Sequence, residues 1–324
     1  MIDQMGNQSS KMPRCCVIGG NGFIGRRLVK NLASTRSEVL VIDRVMAPQV
    51  HDEGIVTYIQ GDYSETDCLE SALSGIDEIV LLAHSTTPKT SFEDSMEDLL
   101  ANVPSSVKFF EAVSSLRLRK IVFVSSGGTI YGRARKLPIT EDHPTLPISP
   151  YGITKLTIEK YGYMYHVLKD LPIVCVRPGN AFGEGQRPFS GQGFIATAMG
   201  AILLRQEISV FGKRGTIRDY LYIDDLVEGI ISALDGGVVG ESYNLGTGIG
   251  RDNVDVTNDI STIVRNSGFD VKVNILPERP FDVPVNILDS TKLYNQTGWK
   301  PHTLFENGLR GMWEWFIQKR GMTL

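Results

Sequence analysis

Long hydrophobic runs are missing from this chain of 324 residues. The longest nearly apolar stretch, Phe194 to Leu204, covers 11 residues, whereas a membrane-spanning helix needs about 20. A soluble helix is expected there, and no integral membrane contact. Residues 1–12 hold no apolar leader core, so no secretory signal is expected, and residues 1–13 read as a loose tail. Cysteine is scarce, with four in all: Cys15, Cys16, Cys68 and Cys175. Their spacing fits no metal-ligand pattern, so no metal is expected. Three of them fall in apolar strand-like runs, which reads as free buried thiols and fits a reducing, cytoplasmic setting. Positive charge is not in excess: 33 Lys and Arg against 37 Asp and Glu leave a net charge of −4. No basic surface therefore advertises a nucleic-acid partner. No internal repeat or low-complexity segment is visible. What remains is ordinary for a globular protein, 42% hydrophobic and 22% charged, with length for two domains or one large one.

The chain is organised around Gly19-Gly20-Asn21-Gly22-Phe23-Ile24-Gly25. The apolar run Cys15 to Ile18 precedes it, and a stretch apolar at 24, 28, 29 and 32 follows. That pattern is a strand, a tight turn and an amphipathic helix. Gly19 permits the turn, Gly22 a close approach to a diphosphate, and Gly25 tight packing of the helix on the strand. The helix then points its N–H groups and positive dipole end at the phosphates.

Further strands are expected at 38–43, 54–60, 76–83, 120–125, 171–177 and 241–245, alternating with helical stretches through the first 180 residues. This predicts an α/β fold with a doubly wound parallel sheet, whose ligands lie beyond the strands' C-terminal ends. Asp43 closes the second strand, 18 residues after Gly25. A carboxylate there accepts hydrogen bonds from the adenosine ribose and repels a 2′-phosphate, which favours NAD over NADP. The neighbouring Arg44 weakens that preference slightly.

Ser125-Ser126-Gly127-Gly128-Thr129 follows the fifth strand, and Ser149-Pro150 makes a helix start. Just inside that helix, Tyr151 and Lys155 lie four residues apart and share one face. A phenol with an ordinary pKa of about 10 needs that value lowered to act as a base. An adjacent ammonium and a positively charged nicotinamide ring both favour the phenolate.

The chain resembles the extended short-chain dehydrogenase/reductases, and among them the nucleotide-sugar epimerases similar to UDP-galactose 4-epimerase. The motifs that carry the resemblance are GGNGFIG, Gly61-Asp62, SSGGTIYG, SPYGITK, VRPGNAFGEGQ, GTIRDYLYIDD, ESYNLGTG and RPFDVP, in that order. They span Arg14 to about Phe316. The resemblance implies a Rossmann fold at 14–177, with 225–266 returning to it. It implies a smaller C-terminal substrate-binding domain from 178–224 and 267–324. Tyr151 becomes the base and Lys155 its partner. Gly19, Gly22, Phe23, Ile24, Gly25, Asp43, Arg44, Asp62, Ala83 and Asn102 hold NAD together with the tyrosine and lysine. His84, Ser126, Asn180, Arg218 and Arg279 face the sugar nucleotide. The two arginines offer forked donors to its diphosphate, with ion pairing of Arg218 to Asp219 or Asp224 as the alternative. A homodimer through the helices around 99–116 and 151–169 is implied as well.

Gly127 departs from the pattern. Many members carry Ser or Thr there to share the substrate proton, so Ser126 or Thr129 is expected to serve instead, Ser126 first. The missing Thr-Asp-Glu argues against a 4,6-dehydratase. Gly128, where the decarboxylases carry Glu, argues against those. The resemblance thus implies an NAD-dependent 4-epimerase of a hexose or N-acetylhexosamine on a diphosphate. A sugar-nucleotide reductase or dehydrogenase, an epimerase of a lipid-linked sugar diphosphate, and a binding protein that keeps only the fold are the alternatives. By its spacing from Arg279 and Asp282, the position that limits bulk at the sugar's C2 falls at Asn286, small enough for an acetamido group.

Overall fold

The structure is a computed structural model describing residues 12–46, 54–279 and 282–319, apart from the side chains of 66–68. Residues 1–11 of the expected tail, positions 280 and 281 of the RPFDVP motif and the Cys68 thiol lie outside the described residues.

The chain opens with β1 (Arg14–Ile18), α1 (Phe23–Leu32), β2 (Glu38–Asp43), β3 (Val56–Gln60), α2 (Thr66–Ala72) and β4 (Glu78–Leu81). Next come α3 (Thr90–Glu93), α4 (Ser95–Val113), β5 (Lys120–Val124), α5 (Gly127–Ile130), α6 (Pro150–Lys169) and β6 (Ile173–Pro178). The second half runs β7 (Asn180–Phe182), α7 (Phe194–Leu203), β8 (Ile208–Phe211), β9 (Ile217–Tyr222), α8 (Ile223–Gly236) and β10 (Ser242–Leu245). It ends with β11 (Gly250–Arg251), α9 (Asn253–Arg265), β12 (Val273–Leu276), β13 (Val285–Asn286), α10 (Thr291–Thr297) and α11 (Phe305–Lys319).

Seven strands form one parallel sheet in the order β10-β6-β5-β4-β1-β2-β3. These are the seven expected from the sequence, each within about two residues of its expected ends. The doubly wound reading therefore holds. Alternation along the strands sorts the core into two faces. Cys15, Val17, Val39, Val41, Val80, Val122 and Val174 face α1 and α8. Cys16, Ile18, Leu40, Ile79, Ile121, Phe123 and Ile173 face α2, α4 and α6. With both faces covered, the strands read as unbroken apolar runs. That burial also explains why the periodicity signal was clear. Burial of Cys15, Cys16 and Cys175 pushes all three thiols up, as expected for inert structural cysteines.

The strand order reverses between β1 and β4, and the cleft described below opens beyond that point. A third core gathers α7, β8, α9 and α11 around Met199, Ile202, Val210, Ile260, Leu309 and Trp313. The helix α9 lies within 225–266, the stretch expected on the nucleotide-binding side, yet packs in this third core. Only α8 and β10 of that stretch pack on the central sheet. The apolar stretch at 194–204 forms α7, buried on nearly all sides.

Candidate active site

Two adjoining clefts of about 740 and 700 Å³ meet at the glycine turn. Gly19 sits at φ +84°, and a Cβ there would lie 2.8 Å from the Ala83 nitrogen. At Gly25 a Cβ would lie 2.5 Å from the Gly19 oxygen and 2.6 Å from the Gly20 Cα, so α1 seats directly on the turn. Gly22 differs, because its nearest neighbour would be 3.4 Å away and its open side faces the cleft. The first turn of α1 has no acidic residue and no side-chain cap. Its positive end is thus presented to the cleft beside Phe23 and Ile24, a cradle suited to a dinucleotide's diphosphate.

At the far end of this cradle, the Asp43 carboxylate accepts from the Asn21 N–H at 2.9 Å and the Val45 N–H at 3.0 Å. Both contacts fix its direction at the cleft wall, which Arg44 and Ala83 share. Arg44 Nη2 donates to Ser85 Oγ at 2.9 Å. Asp62 stands back from both clefts, with Oδ1 accepting from the Ser64 N–H at 2.9 Å. Asn102 is also set back. It is 1% exposed, and its Oδ1 accepts from the Ser85 N–H at 2.8 Å while Nδ2 donates to the Asp98 carbonyl. Asn102 therefore shapes the wall and does not itself line the cleft.

Ser149 begins α6 as read from the sequence: its Oγ accepts from the Gly152 N–H at 3.1 Å, with Pro150 in the first turn. This start places Tyr151 and Lys155 in the cleft. Lys155 Nζ donates to the Val124 carbonyl at 3.0 Å and lies 5.8 Å from the centre of the Tyr151 ring. Burial pulls Lys155 down to about 7, against the opposing pull of Glu159 and Asp98. Burial pushes the Tyr151 phenol up, and Asp98 adds to the rise. The phenol is therefore held protonated by its own surroundings. The lowering expected from the neighbouring ammonium is not found, because the phenol's own burial, with Asp98 beside it, pushes the other way.

His84 packs edge-on against Tyr151, with ring centres 4.7 Å apart. Its side chain is 6% exposed, and Nε2 lies 3.6 Å from Asp98 Oδ1. Burial, then the Lys155 charge, hold its pKa down near 4, so the ring is neutral.

Ser126 and Thr129 both line the cleft beside Tyr151. The Thr129 and Ser125 hydroxyls are buried without a hydrogen-bond partner. A Cβ at Gly127 would lie 2.5 Å from Leu288 Cδ1 and 2.6 Å from the Arg177 oxygen. On this backbone, residue 127 faces the core. Gly128 faces the cleft instead, where a Cβ would stand 3.5 Å from Asn180 Oδ1.

Arg218 and Arg279 reach the same cleft from β9 and from the segment before β13. The alternative ion pairs of Arg218 are not formed. Asp219 accepts from Thr247, Gly248 and Leu288, and Asp224 pairs with Arg27. Burial lowers the Arg218 pKa. Arg279 is forked onto Asp282 at 2.8 and 3.2 Å and stacks 4.1 Å from the Phe211 ring. Asn286 is not brought to the cleft: it is 1% exposed and donates to the Gly127 carbonyl at 2.9 Å.

The sequence reading missed several residues that reach the cofactor end, Gln186 and Trp315 among them. Gln186 lines both clefts, with Nε2 held on the Ala181 carbonyl at 3.1 Å and Oε1 buried without a partner. Its signal was present in the Gly-rich stretch 183–193, where Gly183, Gly185, Gly191 and Gly193 all have positive φ. Trp315 also lines the second cleft. Trp313 does pack, 2% exposed against Phe269.

Comparison with known proteins bears on this geometry. Residues 15–246 match the model of the NAD dependent epimerase/dehydratase family. A UDP-glucose 4-epimerase of Mycolicibacterium smegmatis is 29% identical over 314 residues, covering 94% of this chain and 99% of that one. The structure of Thermotoga maritima UDP-glucose 4-epimerase with UDP-glucose superposes with a TM-score of 0.88 at 29% identity, covering 94% and 99% of the two chains. The Thermus thermophilus UDP-glucose 4-epimerase in complex with NAD gives 0.85 at 29% identity, covering 96% and 100%. The matched span covers the sheet, the glycine cradle and the Tyr151–Lys155 pair, and the chain belongs to the NAD dependent epimerase/dehydratase family.

Proposed function

We propose that this protein is an NAD-dependent 4-epimerase of a hexose or N-acetylhexosamine carried on a diphosphate, with a UDP-sugar as substrate. The observation that carries the reading is one of placement. Tyr151 and Lys155 lie in a cleft that has the Gly19–Gly25 cradle at one side and the Arg218 and Arg279 guanidiniums at the other. Such a cleft suits a dinucleotide and a second diphosphate on either side of one phenol.

NAD bound in the cradle supplies a reversible hydride acceptor for C4 of the sugar. Gly22 and the start of α1 would hold its diphosphate, and Asp43 its adenosine ribose. Lys155 would hold the nicotinamide ribose beside Tyr151. The Tyr151 phenolate takes the proton of the C4 hydroxyl and later returns it. Arg218 and Arg279 hold the sugar's diphosphate while the 4-keto sugar turns to present its other face. Ser126, with Thr129 beside it, is the hydroxyl that shares the substrate proton, and Asn180 and His84 complete the sugar's surroundings.

We further infer a homodimer formed through α4 and α6. Met96 and Leu100 on α4, and Val167 and Leu168 on α6, are large apolar side chains left more than half exposed. No helix among the described residues is long and apolar enough to cross a membrane. Replacing Tyr151 by Phe tests the reading. Epimerisation is expected to vanish with NAD still bound, and retention of most activity would remove Tyr151 as the base.

A further inference from the structure

Asp98 is a charged residue with no exposure, set in α4 directly behind the site. Three contacts converge on it from two other elements. Thr86 Oγ1 donates to Oδ1 from the segment after β4. Thr154 Oγ1, on α6 between Tyr151 and Lys155, donates to Oδ2 at 2.5 Å. His84 Nε2 faces Oδ1 at 3.6 Å. Burial opposes the charge, but His84 first, and then the Thr154 and Thr86 hydroxyls, outweigh it and hold the carboxyl below the usual carboxylate range, so the buried group is an anion. The other edge of this anchor is His84, stacked edge-on against Tyr151 at 4.7 Å.

We propose that Asp98 and His84 are a positioning pair for Tyr151, with Asp98 supplying the fixed negative charge against which the phenol ionises. The inference rests on the reading of Tyr151 as the acid–base group. The charged and titratable neighbours are few. Lys155 and Glu159 lie on α6 itself, with Glu159 neutralised by Arg177 of β6 at 2.7 Å. His84 comes from the segment after β4 and is neutral, leaving Asp98 as the anion that α4 contributes. Lys89, Glu93, Arg218, Arg279 and Asp282 line the same cleft. A fixed anion opposes a second anion nearby. Asp98 therefore keeps Tyr151 protonated until positive charge enters the cleft, and it supports the Lys155 ammonium against burial.

The test is Asp98→Asn, which keeps the shape and removes the charge. In NAD-loaded protein without sugar, the ultraviolet band of tyrosinate is titrated against pH, with Tyr151→Phe as the blank. The midpoint for Tyr151 is expected to fall by about half a pH unit or more. The acid limb of kcat/KM is expected to move down with it. An unchanged midpoint, with only turnover or melting temperature lowered, would reduce Asp98 to a structural anchor and overturn the proposal. If Asp98→Asn does not fold by circular dichroism, Thr154→Val decides. It removes one donor and leaves the carboxylate ionised but less shielded, so a small upward shift of the midpoint is expected, and no shift or a downward one would overturn the proposal. The titration involves no sugar, so it succeeds or fails independently of the epimerase reading.

Discussion

The His84 imidazole meets the Tyr151 ring edge-on, with ring centres 4.7 Å apart and planes at 78°. Burial and the nearby Lys155 charge keep His84 unprotonated in the folded chain until pH falls to about 4, against an ordinary 6.5. Between those values the unfolded chain binds more protons, so this group makes stability fall as pH drops from 6.5 to 4. Replacing His84 by Phe keeps an edge-on ring and removes the titration. The variant is expected to lose less melting temperature than the native protein across that window. Parallel slopes in a series of melts would show that other groups govern the acid limb.

Gly22 and Gly25 separate binding from folding. A methyl at residue 25 would meet backbone atoms at 2.5 and 2.6 Å, whereas at residue 22 it meets nothing within 3.4 Å. Gly25→Ala is expected to cost about 1–3 kcal/mol of stability as well as NAD affinity. Gly22→Ala is expected to stay within about 0.5 kcal/mol of the native stability while NAD affinity falls at least tenfold. Denaturant melts and NAD titration measure both. Equal stability losses would contradict the cradle as described.

Asn286 supports the turn beneath the site. Its amide bonds to the Gly127 carbonyl, and β13 pairs with Arg218 beside it. A tyrosine there would be overpacked, at a cost of about 1–3 kcal/mol, and would disturb α5. Asn286→Tyr is therefore expected to lower the melting temperature and to reduce kcat/KM alike on UDP-glucose and UDP-GlcNAc. Selective loss of the acetylated substrate at an unchanged melting temperature would place residue 286 against the sugar's C2, as the family resemblance implied.

The sheet was legible because both its faces are buried, so each strand is an apolar run set between turn signals. The glycine turn and the start of α6 were legible because backbone geometry restricts which residues fit: Gly19 at positive φ, and Ser149-Pro150 at a helix start. Side-chain direction was harder to read. Gly127 was read as a lost hydroxyl at the cleft, whereas its Cα faces Leu288 and the Arg177 carbonyl. Asn102 and Asn286 were assigned to ligands by position, yet their amides are engaged by Ser85 and Gly127. Asp98 gave no signal, because its three neighbours become adjacent only when α4, α6 and the segment after β4 pack together. The packing of α9 with α7 and α11 also depends on tertiary contacts that no local pattern encodes.

The most direct measurement joins cofactor content to product. The protein is purified without added nucleotide, denatured, and assayed for released NAD. In parallel, UDP-glucose and UDP-GlcNAc are followed by proton NMR. A 4-epimerase of this mechanism is expected to hold NAD tightly and to give new anomeric signals of the C4 epimers without added cofactor. Protein free of NAD that turns over sugar only when reduced cofactor is supplied would contradict it and identify a reductase.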